Sequence, residues 1–105
     1  MTELKKGDVV VHNLDDDPSL TTAMLFYVLD SKHDGDPDLR QITARPKLAW
    51  LLRLPANELE LVGHIDGDFM LQRFVATEAE REQVRPIVEQ VVASGRELNR
   101  SWLGI

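Results

Sequence analysis

Residues 5–12 of the chain read KKGDVVVH, and this stretch decides the architecture of the amino-terminal part. Its first four residues are of types that favour turns. The three valines that follow are β-branched, which restricts their first side-chain torsion and favours strands. The stretch therefore predicts a tight turn that leads directly into a β-strand almost at the amino terminus.

Beyond this strand, clusters of turn-forming residues alternate with apolar runs. In residues 21–31 both alternating faces are apolar, which is typical of a strand covered on two sides or curled inside a small barrel. The Asp-Gly pairs at 34–35 and 66–67 are strong hairpin-turn signals. We predict further strands in the runs TTAMLFYVLDS, LRQITAR, LAWLLRL, LELVGHI and DFMLQRFVA.

The last third of the chain changes to a helical period. Thr77 and Glu80 have the spacing of a capping box, which marks the start of a helix. Pro86 removes one backbone hydrogen bond and predicts a kink or a restart. We predict a helix over residues 77–103, kinked near Pro86. Its apolar stripe consists of Val84, Ile87, Val88, Val91, Val92, Leu98 and Trp102.

The stretches GDVVVH and RLPANELELV, with a long apolar strand between them, resemble an SH3-like small barrel of the YodC-like or KOW-type kind. In such barrels a Gly-Asp turn often opens the first strand, and a short 3₁₀ turn with a Glu-Leu pair leads into the last strand. This resemblance implies a barrel over residues 5–63. We expect a single mainly-β domain with a carboxyl-terminal α-helix (α+β), in which a hairpin over residues 58–76 and the helix are added to the barrel.

A helical interpretation of two segments stays open. Residues 18–32 fit a helix with Asp17 as its N-cap and Pro18 in the first position. The leucine spacing in KLAWLLRLPANELELV, residues 47–62, also fits a helix-turn-helix within a winged helix. The recognition segment would then carry Glu58 and Glu60 and no base, which does not suit a phosphate-lined groove. Residues 46–54 are accordingly either strand or helix.

Composition limits the range of functions. The chain has 105 residues, a net charge of −6 and no cysteine. Disulfides, thiolate chemistry and cysteine-based zinc sites are therefore impossible. The negative charge disfavours general binding to nucleic acid or anionic lipid. The sequence contains neither a signal-peptide pattern nor an apolar run of membrane-spanning length, so we expect a cytoplasmic protein that does not bind membranes.

Charge is unevenly distributed along the chain. Between residues 8 and 38 there are eight acidic residues and one basic residue, whereas residues 39–54 contain four basic residues and no acidic one. We expect the acidic loops, together with a cation and an aromatic residue from the basic segment, to bind a partner. The candidate partner-binding residues are Asp15, Asp16, Asp17, Asp34, Asp36, Arg45 and Trp50.

The sequence offers no recognisable catalytic or metal-binding motif. His12, His33 and His64 lie far apart, and DGDPD lacks the later glycine and glutamate of a calcium loop. Nucleophile-elbow and phosphate-binding glycine motifs are also missing. We expect no enzymatic activity, no metal and no cofactor.

Two functional hypotheses follow. The first is a non-enzymatic protein-interaction module, such as an accessory or inhibitor protein that binds a basic surface. The second is a winged-helix or barrel-type nucleic-acid-binding regulator, since cations beside an aromatic residue suit single strands. It would use Arg40, Arg45, Lys47 and Trp50. A homodimer through the carboxyl-terminal helix is a further expectation, while the sequence leaves open whether Trp50 and Trp102 are core or surface residues.

Overall fold

A computed structural model describes residues 4–12, 25–30, 36–43, 51–66 and 77–95 of the chain. These residues contain a β-sheet, a 3₁₀ turn and a carboxyl-terminal α-helix, which confirms the predicted α+β class. None of the helices in the described part is long and apolar enough to cross a membrane. The elements are β1 (Asp8–His12), β2 (Leu25–Asp30), β3 (Asp38–Gln41), β4 (Leu51–Arg53), a 3₁₀ turn (Ala56–Glu58), β5 (Leu59–His64) and α1 (Glu78–Ala93).

The strands form one antiparallel sheet in the order β4-β3-β2-β1-β5. Within the described residues β4 pairs with β3 and β5 pairs with β1, but no pairing joins β4 to β5. The sheet is therefore not closed, which corrects the expected closure into a barrel. The physical reason is that each face of the sheet is covered by its own set of side chains, so burial does not require the two outer strands to meet.

The helical interpretation of the two ambiguous segments is wrong where the structure describes them. Residues 25–30 and 51–53 are strands, and residues 59–64, which would form the recognition helix, pair with β1. Short leucine-rich runs fit both the helical and the strand period, so pairing with a neighbouring strand decides between them. The helix-turn-helix expected within residues 47–62 is wrong for the same reason over residues 51–62, the part that the structure describes.

The turn before β1 forms as predicted. The Asp8 N–H donates to the Lys5 carbonyl over 3.0 Å, which closes the turn. The Lys5 N–H in return donates to Oδ2 of Asp8 over 2.9 Å. Gly7, the third residue of the turn, has a φ of 95°. A side chain rarely adopts this left-handed conformation, which explains the glycine at this position.

The two faces of the sheet belong to different cores. One face, which includes Val9, Val11 and Tyr27, packs against α1. The opposite face, which includes Val10 and Phe26, forms a second core to which residues of the segment between β4 and β5 are added. Of the two explanations offered for a second strand that is apolar on both faces, coverage on two sides is the one observed.

Helix α1 begins at the predicted capping box. The Glu80 N–H donates to Oγ1 of Thr77 over 3.3 Å, and the Thr77 N–H donates to Oε1 of Glu80 over 2.7 Å. The helix continues through Pro86, whose side chain is exposed. Its stripe of Val84, Ile87, Val88 and Val91 is buried against the sheet.

Helix α1 ends earlier than predicted, at Ala93 rather than near residue 103. The Gly95 N–H donates to the Val92 carbonyl over 3.0 Å, and Gly95 has a φ of 96°. A glycine in this conformation is a common helix terminator because it turns the chain away from the axis. The apolar stripe of the sequence continues past Gly95 and so gives no sign that the backbone leaves the helical conformation there. Residues 96–105, with Trp102, lie outside the described residues.

The predicted hairpins are only partly described. Strands β2 and β3 are adjacent and antiparallel, as a hairpin with its turn at Asp34-Gly35 requires, although that turn itself lies outside the described residues. Of the hairpin predicted over residues 58–76, strand β5 is described and residues 67–76 are not.

Candidate functional site

Of the seven candidate partner-binding residues, the structure describes Asp36 alone. It is partly exposed and lies two residues before β3. The other six, Asp15, Asp16, Asp17, Asp34, Arg45 and Trp50, lie outside the described residues.

The strand ends show where these segments attach to the sheet. Val11 pairs with Leu25, and Phe26 pairs with Gln41. The end of β1, the start of β2 and the end of β3 therefore lie at the same end of the sheet. Asp36 precedes the start of β3, at the opposite end. The acidic triplet at 15–17 and the segment with Arg45 and Trp50 are thus tethered to one end, and the acidic residues at 34 and 36 to the other.

Two cations of the basic segment are already engaged within the fold. Arg40, on β3, is only 3% exposed, and its backbone lies between β2 and β4 in the sheet. Nε of Arg53 lies 3.0 Å from Oδ1 of Asp38, its partner in the β3–β4 pairing. Neither is presented as an isolated cation to a phosphate backbone.

The apolar stripe of α1 is likewise used by the protein's own sheet. Its described members are buried except Val92, which is exposed. Packing of the helix across the sheet, one of the two expected roles of the stripe, is therefore observed. A homodimer through the carboxyl-terminal helix stays a prediction.

The sequence did not predict a cluster of polar side chains that lies where β1 begins, after the opening turn, and where β5 ends. Asp8 and His64 are directly opposite each other in the β1–β5 pairing. Nδ1 of His64 lies 2.9 Å from Oδ1 of Asp8, and Nε2 lies 3.3 Å from Oδ1 of Asp66. The imidazole is thus placed between two carboxylates, one from each side.

The two carboxylates of this cluster differ in their surroundings. The Asp8 side chain is 4% exposed and is fixed by the Lys5 N–H as well as by His64, whereas the Asp66 side chain is 96% exposed. The backbone of Asp66 is held by helix α1, since its N–H donates to Oε1 of Gln83 over 3.0 Å. The cluster therefore joins the opening turn, the end of β5 and the helix.

A second histidine–carboxylate pair lies at the other end of the same strand pairing. Nε2 of His12 is 3.0 Å from Oε2 of Glu58, in the 3₁₀ turn that precedes β5. Asp8, Val10 and His12 alternate on one face of β1, so the two polar residues flank an apolar one. Each end of the β1–β5 pairing is thus linked by a histidine and a carboxylate.

Asp8 and His64 are 56 residues apart, and no local pattern connects them. A possible signal was that both adjoin a turn at the end of a strand, but only the β1–β5 register places them opposite each other. The cluster consists of an imidazole whose Nδ1 is oriented by a buried carboxylate and whose Nε2 lies beside the exposed carboxylate of Asp66.

No family model matches the chain, and searches of curated proteins and of solved structures found no match.

Proposed function

We propose that the protein is a non-enzymatic, acidic protein-interaction module that binds a basic surface of a partner protein in the cytoplasm. The observation that carries the proposal is the state of the basic segment. Arg40 is buried and Arg53 is paired with Asp38, so two of its four cations are engaged internally. The net charge of −6 leaves acidic groups in excess, and these two cations are not available to neutralise the acidic segments.

The scaffold of the proposal is the open sheet β4-β3-β2-β1-β5, which we propose is related to SH3-like small barrels. Two features support it: the turn at Gly7-Asp8 opens β1, and the 3₁₀ turn at Ala56–Glu58 leads into Leu59 at the start of β5. These are the two features on which the sequence resemblance rests. Loops on such a scaffold can vary in sequence while the sheet holds their ends in place.

The acidic triplet at residues 15–17 is the first part of the chain to test by substitution. We expect Asp15→Lys, Asp16→Lys and Asp17→Lys together to weaken binding to a Lys/Arg-rich peptide roughly tenfold, because several favourable charge pairs become repulsive. Fluorescence anisotropy of the labelled peptide at low and at physiological ionic strength measures this effect.

A matched control separates a local surface from net charge. Glu60→Lys, Glu82→Lys and Glu89→Lys reverse three exposed acids on β5 and α1, so the total charge changes by the same amount. The proposal expects this variant to lose clearly less affinity than the triplet variant. Equal loss in both variants would mean that peptide binding follows net charge alone, and would contradict a specific surface.

Single-stranded DNA is the second probe in the same experiment. The proposal expects a flat titration even at low salt. Affinity that falls steeply with added salt would overturn the proposal in favour of a nucleic-acid-binding regulator. Arg45→Ala and Lys47→Ala would then be expected to reduce the salt dependence.

A further inference from the structure

We draw no further inference here: the strongest candidate, the exposed side chain of Leu61 on β5 between the His12–Glu58 and Asp8–His64 pairs, carries none, because nothing in the described part of the structure shows what covers it.

Discussion

Gly7 links the opening turn to β2 and to the residue that follows β5 through backbone hydrogen bonds. Its N–H donates to the Val28 carbonyl over 3.0 Å, and its carbonyl accepts from the Ile65 N–H over 2.8 Å. Its φ of 95° places the chain in the left-handed region. A side chain here would meet the His64 ring and the Ile65 carbonyl, so both backbone conformation and space require glycine.

We expect Gly7→Ala to lower the free energy of unfolding by about 2–4 kcal/mol. The left-handed backbone accounts for about 1–2 kcal/mol of this loss. The remainder arises because the new Cβ would lie 2.7 Å from Cε1 of His64 and 2.8 Å from the Ile65 carbonyl oxygen, so the neighbours must move. Equilibrium unfolding in urea measures the change.

Gly95→Ala is the natural control for this prediction. Gly95 has nearly the same φ, 96°, but a Cβ there meets no atom of the described residues within 4 Å. It should cost only the backbone part, about 1–2 kcal/mol. Equal losses in the two variants would show that contacts at His64 and Ile65 contribute nothing.

At the scale of elements, the approach of α1 to β5 depends on Gly63. This glycine is outside the left-handed region, so its backbone conformation suits any residue. A Cβ there would lie 2.6 Å from both Cγ1 and Cδ1 of Ile87. The absence of a side chain at residue 63 of β5 therefore lets the helix pack closely against the sheet.

Gly63→Ala should destabilise the protein by about 1–3 kcal/mol through overpacking alone. Ile87→Val removes the Cδ1 methyl and should reduce this cost by about 1 kcal/mol in the double variant, because the two residues are in contact. A double-mutant cycle from urea unfolding measures the coupling. Additive effects of the two substitutions would contradict direct packing.

At the scale of the whole molecule, the sheet has an apolar core on each face, and α1 supplies much of one of them. Val84, Ile87, Val88 and Val91 are buried against Val9, Val11 and Tyr27. Burial of four such side chains contributes about 6–12 kcal/mol. This is comparable to the entire stability of a domain of this size, about 5–15 kcal/mol.

A chain that ends at residue 76 should therefore lose cooperative unfolding. Without α1, one face of the sheet, including Val9 and Tyr27, is exposed to water. We expect no sigmoidal transition in urea or on heating, together with binding of a hydrophobic dye. A shortened chain that unfolds cooperatively, with the stability of the full protein, would show instead that the first 76 residues are an independent domain.

Much of the local structure was predictable because its signals act over a few residues. The turn at Gly7-Asp8 depends on turn-forming residue types followed by β-branched ones, and the start of α1 on the Thr77–Glu80 spacing. The end of α1 was not predicted, because the apolar stripe continues beyond Gly95 and hides the change in backbone conformation. The 51–53 and 59–64 segments were ambiguous because their leucines fit both periods until β-pairing selects one.

The sequence by itself determined the α+β class, the opening turn, the capping box and the acidic character of the protein, since each depends on composition or on neighbours within one turn or strand. Tertiary structure alone decided that the sheet stays open, that Arg40 is buried and that His64 lies between Asp8 and Asp66. These features depend on the register of strands far apart in the chain. A shift of one residue in that register would move each side chain to the opposite face of the sheet.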